Sequence, residues 1–121
     1  VMEQHHLSDS EYRLLRVVWA SEPVASGQLV TLCGERLGWK KSTTYTVLKK
    51  LCDKGVLRNE GSTVTSAVPR AAVDHRAAEA FVDKTFGGSL PGFLTAFMGG
   101  RKLTAKEAED LKRLIETYQE G

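Results

Sequence analysis

Three observations predict a mainly α fold with one small β-hairpin. Apolar residues recur at helical spacing in six separate stretches, capping pairs and glycines punctuate those stretches, and the segment from Val56 to Pro69 alone switches to the alternation of short strands. At 121 residues the chain suits one compact domain, or a small domain with a second unit appended.

LSDSEYRLLRVVWA opens the first helix. Ser8 followed by Glu11 makes a capping box, Leu7 and Tyr12 a hydrophobic staple, and Leu14, Leu15, Val18 and Trp19 the buried stripe. SEPVAS, with Pro23, breaks that helix, and Ser26 is expected to cap a second one running through Leu29, Val30, Leu32, Cys33 and Leu37 to a stop at Gly38. Only Gly38, Trp39 and a lysine or two separate it from KKSTTYTVLKKL, Lys40 to Leu51, a connection short enough for a helix-turn-helix. Gly55 stops the third helix, and VLRNEGSTVTSAVP reads as two short strands around Glu60 and Gly61, closed by Pro69. Helix, helix, short turn, helix and hairpin is the order of a winged helix.

After Val73 no strand signal appears. Asp74 is expected to cap a helix through Phe81, Val82 and Phe86 that stops at Gly87 and Gly88. Ser89, with Pro91 in the first turn, begins another that carries Phe93, Leu94, Phe97 and Met98, ended by Gly99 and Gly100. Thr104 with Glu107 is a second capping box, ahead of Leu111, Leu114, Ile115 and Tyr118 at i, i+3, i+4 and i+7. Three such amphipathic helices cannot bury their stripes in one thin layer, and a second copy packed about a two-fold axis is the economical cover. The expected division is a winged helix-turn-helix over residues 7–70 and an α-helical dimerisation unit over 71–121. Phe81, Phe86, Phe93, Leu94, Phe97, Leu111, Leu114, Ile115 and Tyr118 are the expected interface residues.

The third helix is made of poor helix formers: Ser42, Thr43, Thr44 and Thr46 surround Tyr45. At about 100° per residue, Thr44, Val47, Leu48 and Leu51 share the core side, whereas Ser42, Tyr45, Thr46, Lys49 and Asp53 face solvent, flanked by Thr43 and Lys50. Short hydroxyls reach base edges or phosphates without pushing a helix out of the major groove, a threonine methyl can meet a thymine methyl, and a phenol can bond phosphate or base. Lys40, Lys41, Lys49 and Lys50 would neutralise phosphates. The charge is local: between Lys40 and Arg58 stand six basic residues against Asp53 alone, while the formal net charge of the whole chain is only +2. Arg58 and Ser62 on the hairpin are further candidates for contact with double-stranded DNA.

Cys33 and Cys52 have no zinc or CxxC spacing and read as buried thiols. His5, His6 and His75 lack the neighbours of a metal site or triad, so neither enzyme nor cofactor is expected. No apolar run approaches the roughly 20 residues of a membrane span, and VMEQHHLSD has no signal-peptide core, so a cytoplasmic protein without membrane insertion is expected. Val1, ahead of Met2, is left out of the fold reading.

LSDSEYRLLRVVW at the start, Trp39, Thr43 and Thr46 with KKLCDKGVLR after them, and FVDKTFGGSLPGFLTAF together resemble the penicillinase-repressor group of winged-helix transcriptional repressors, from about Leu7 to Ile115. The resemblance implies a homodimer on a palindromic operator that controls antibiotic-resistance genes. It also implies release by a membrane-bound sensor metalloprotease that cuts the dimerisation region before a phenylalanine, here at Ala96–Phe97. Alanine stands at 96 where the best-known members have asparagine, and the tail lacks the closely spaced cysteines of the copper-responsive branch. Two alternatives stay open beside this reading. One is a winged helix used for protein contact alone. The other is a regulator gated directly by a ligand or by redox chemistry, with Tyr118 and the phenylalanines lining a pocket.

Overall fold

The computed structural model describes residues 6–120, so Val1 and His5 lie outside the described residues. Its elements run α1 (Asp9–Ser21), β1 (Val24–Ala25), α2 (Ser26–Leu37), α3 (Lys41–Asp53), β2 (Leu57–Glu60), β3 (Thr63–Ser66), α4 (Arg70–Phe86), α5 (Leu90–Met98) and α6 (Ala105–Tyr118). The three strands form an antiparallel sheet in the order β1-β3-β2. The result is a winged helix followed by three helices, as the sequence predicts.

The Ser8–Glu11 capping box forms: the Ser8 hydroxyl accepts from the Glu11 amide at 3.2 Å, and the Ser8 amide donates to the Glu11 carboxylate at 2.7 Å. Glu11 has a second duty. Only 2% exposed, it accepts from the Lys54 ammonium at 2.8 Å, and Lys54 also donates to the His6 carbonyl at 3.0 Å. The C-terminal end of α3 is thereby tied to the start of α1. Burial alone would raise the Glu11 carboxyl, but the bonds from Lys54 and Ser8 hold it below the usual carboxylate range.

Two helix starts differ from expectation. Ser26 is the first residue of α2 and does not cap it; Ala25 holds the N-cap position without a side-chain bond. The Ser26 amide instead donates to the Ser62 carbonyl at 2.8 Å, because the residues before it join the sheet as β1, with Val24 opposite Val64 and Ala25 opposite Thr63. Asp74 likewise sits inside α4, which begins at Arg70 with Pro69 as N-cap. Tertiary contacts extend that helix backward, since Arg70 stacks on Trp19 at 4.6 Å and Val73 enters the core, and within the helix Asp74 pairs with Arg70 at 3.5 Å. Ser89 and Thr104 cap α5 and α6 as expected, the latter with its full box to Glu107.

The hairpin turn lies one residue later than expected. Glu60 is the last residue of β2, opposite Thr63, and Gly61 and Ser62 make the turn with φ of 58° and 63°. Positive φ at both central residues is the two-residue turn whose twist matches the strands it joins.

The core gathers Leu14, Leu15, Val18, Leu29, Cys33, Leu51 and Val64, all fully buried. From α4 to α6 only Val73 is buried. Phe81, Phe86 and Phe93 meet edge to face at 5.6–6.1 Å, and Phe97 stacks on Phe93 at 5.7 Å. This aromatic cluster joins α4 to α5 but does not cover them.

Candidate nucleic-acid interface

Helix α3 starts without a side-chain cap, Lys40 being its N-cap residue, so the amides of its first turn lack a side-chain acceptor. Thr44, 0% exposed, directs its hydroxyl back to the Lys40 carbonyl at 3.1 Å and so buries a polar group at no loss of bonding. Val47, Leu48 and Leu51 complete the buried stripe that holds α3 against α1 and α2. Trp39, half-buried against the core, packs the turn that delivers α3.

All ten candidate residues, Lys40, Lys41, Ser42, Thr43, Tyr45, Thr46, Lys49, Lys50, Arg58 and Ser62, are exposed. Seven of them, from Lys41 to Lys50, lie on the exposed side of α3 and Lys40 precedes it as N-cap, while the two hairpin residues are placed apart. Arg58 alternates with the buried Leu57 and stands opposite Thr65, which puts it on the sheet face turned away from the core. Ser62 is held at the hairpin tip with its carbonyl engaged by α2. The wing is therefore short and fastened down.

Two further features belong to this face, the first at an i,i+4 spacing visible in the sequence and the second without a sequence signal of its own. Lys49 pairs with Asp53 at 3.0 Å, an exposed i,i+4 contact on the reading side. Tyr45, Leu48, Lys49 and Cys52 of α3 and Asn59 of β2 line a cleft of about 380 Å³. The strand register alone turns Asn59 toward α3.

Along α4 to α6, Phe81, Phe97, Leu114, Ile115 and Tyr118 are exposed, Ile115 at 61% and Tyr118 at 79%, whereas Phe86, Phe93, Leu94 and Leu111 are half-buried. The Ala96–Phe97 bond lies in the last turn of α5, with both residues exposed. Burial pushes the thiols of Cys33 and Cys52 up from their usual value. His75 lies beside Glu79 at 3.4 Å on the exposed side of α4. Among the described residues no group of three or more His, Cys, Asp or Glu could hold a metal ion, and no helix is long and apolar enough to cross a membrane.

The sequence profile of the penicillinase repressor family matches residues 7–117, spanning the winged helix and nearly all of the helices behind it. The chain belongs to the penicillinase repressor family. That family consists of transcriptional repressors, which are DNA-binding regulators and not enzymes. The chain is similar to the penicillinase repressor of Bacillus licheniformis, 20% identical over 117 residues that cover 93% of this chain and 91% of that one. It is also similar to the penicillinase repressor of Staphylococcus aureus, 20% identical with 93% of each covered. An uncharacterised protein of Latilactobacillus sakei is 24% identical over 92% of this chain and 79% of its own length.

Proposed function

We propose that this family member is a homodimeric repressor that reads a palindromic operator with α3 of each copy. Residues 7–70 form the reading unit and residues 71–121 the dimerisation unit. The observation that carries this reading is the outer side of α3: hydroxyls and a phenol at its centre, lysines at its margins, and a rigid buried stripe behind. The hydroxyls and Tyr45 read base edges, and Lys40, Lys41, Lys49 and Lys50 hold phosphates, with Arg58 and Ser62 as secondary contacts. The apolar residues left exposed on α4 to α6 support a second copy as their cover.

The regulated genes are antibiotic-resistance genes of the β-lactamase type. Release follows cleavage at Ala96–Phe97 by a membrane-bound sensor metalloprotease. The bond stands in the last turn of a nine-residue helix, just before Gly99 and Gly100, so entry into a protease cleft needs that turn to unwind and Phe97 to leave Phe93 and Arg101. Separating the arms then forfeits the avidity of paired half-sites, about 10²- to 10⁴-fold.

A second reading, direct ligand gating, draws support from a groove of about 390 Å³ between the start of α1 and α4, bordered by Leu7, Tyr12, Ala77, Ala80 and Phe81 with Lys84 at its edge. Redox gating draws none from the thiols, whose raised pKa disfavours the reactive thiolate.

Salt titrations on matched and scrambled duplexes test the reading face. Lys49→Ala should weaken binding to both and lower the salt slope by about one, while Tyr45→Ala and Thr46→Ala should cost more on the matched duplex. Equal losses on both duplexes for all three variants would contradict base reading.

A further inference from the structure

We propose that the cleft between α3 and β2 seats a backbone phosphate of the duplex, and that Asn59 is the residue that positions it. The inference rests on the DNA-reading role proposed for α3 and extends it to a residue of the wing strand.

The register places Asn59. In an antiparallel pair, alternate residues exchange hydrogen bonds and those between them turn their N–H and C=O groups outward. Glu60 and Thr63 flank the two-residue turn, and the Ala67 amide bonds the Val56 carbonyl at 2.9 Å, which fixes the bonded pairs as Val56 with Ala67, Arg58 with Thr65 and Glu60 with Thr63. Leu57 and Asn59 therefore aim their backbone groups away from β3. Since β2 is an edge of the sheet and Asn59, unlike the buried Leu57, is exposed, the Asn59 backbone groups stand free of the ladder beside the cleft. The Asn59 side chain shares the sheet face of buried Leu57 and Val64, toward α3, and makes no hydrogen bond among the described residues.

The lining suits an anion. Lys49, Tyr45 and Asn59 bring donor groups to the lining, Leu48 and Cys52 supply its apolar floor, and no acidic residue is among the five that line the space. Lys49 reaches Asp53 at 3.0 Å, but both partners are largely exposed, so the pair yields readily to a phosphate. The cleft is also continuous with the reading side of α3, because Tyr45, Lys49 and Cys52 stand at i, i+4 and i+7 along one stripe. A helix in the major groove has a phosphate strand on each flank, and the strand on the β2 side runs through this cleft. These features favour duplex DNA over a free anion as the occupant.

Cys52 supplies the test, since it is the half-buried thiol on the cleft floor and Cys33 is fully buried. The full chain is labelled with a maleimide alone, with a 30-base-pair duplex from its own upstream region, with a scrambled duplex, and with millimolar inorganic phosphate. Bound duplex of either sequence should slow labelling at least tenfold, and inorganic phosphate should not. Asn59→Ala should weaken both duplexes by about 3- to 10-fold, the value of one hydrogen bond, and Asn59→Asp by more. A duplex that binds while Cys52 labels at its free rate, with Asn59→Ala binding as wild type, would overturn the cleft assignment and leave α3 as reader. Protection by inorganic phosphate alone would overturn the duplex as occupant. Failure of the wild type to bind either duplex would overturn the reading role itself, and this inference with it.

Discussion

The chain up to Ser66 and the helices after Pro69 use similar amphipathic patterns and reach opposite states. In the first region the stripes of α1, α2 and α3 close on one another and on the sheet, and Glu11–Lys54 and the bonds from Ser66 to Glu22 fasten the seams. In the second, Val73 alone is buried, while Phe81, Leu90, Phe97, Leu103, Leu114, Ile115 and Tyr118 remain exposed. Periodicity declares that a face must be covered; it does not say by what. The first region finds its cover within the chain, and the second leaves its apolar stripes exposed.

Substitutions at matching positions should separate the two regions. Leu51→Ala, at a fully buried site, should cost about 3–5 kcal/mol in urea unfolding, because a cavity is left among packed neighbours. Leu114→Ala on the half-exposed stripe of α6 should lower stability in a way that depends on protein concentration, as expected when the cover is another chain. A large concentration-independent loss for Leu114→Ala would mean that α6 packs within its own chain. Leu114→Asp or Ile115→Asp should shift sedimentation toward monomer and reduce duplex affinity by about 10²- to 10⁴-fold. Dimers that persist in both variants would place the interface elsewhere.

The seam at Glu11 should give a smaller, pH-dependent loss. Glu11→Gln leaves the Lys54 ammonium, 28% exposed, without its counter-charge and should cost about 2–3 kcal/mol, at or below the low end for a broken buried pair. The Glu11 carboxyl is held below its ordinary 4.5, so its contribution is full above that value and fades as pH falls through the lower folded value. Wild type and Glu11→Gln should therefore converge in thermal melts as pH drops below about 4.5, and a gap that widens there would contradict the assignment. The smallest effect concerns the reading side: Asp53→Asn frees Lys49 and removes one negative charge, and should raise affinity for all duplexes about two- to fivefold in fluorescence anisotropy.

What could be read from the sequence follows the same divide between local and distant causes. The Ser8 and Thr104 boxes, the Gly38 stop at φ 70° and the buried side of α3 depend on residues within a turn or two of each other, and each was legible. Strand β1 was not, because Val24 and Ala25 are too few to show a period and become a strand only by pairing with β3. The start of α4 escaped for a similar reason: Arg70 stacking on Trp19 and Val73 entering the core decide it, not the capping preference of Asp74. In the candidate interface the α3 residues were legible from the helical period alone. Asn59 was not, since its place in the cleft depends on a register that the turn at Gly61 and Ser62 sets.

The central claim is that α3 and the exposed arm serve two different partners at once, one duplex and one further copy. Sedimentation velocity with a labelled duplex carrying the upstream region protected in footprinting measures both together. Two chains per duplex at moderate salt, falling to weak binding by one chain in Ile115→Asp, is the predicted result. One chain per duplex at full affinity, or no complex at all, would contradict it.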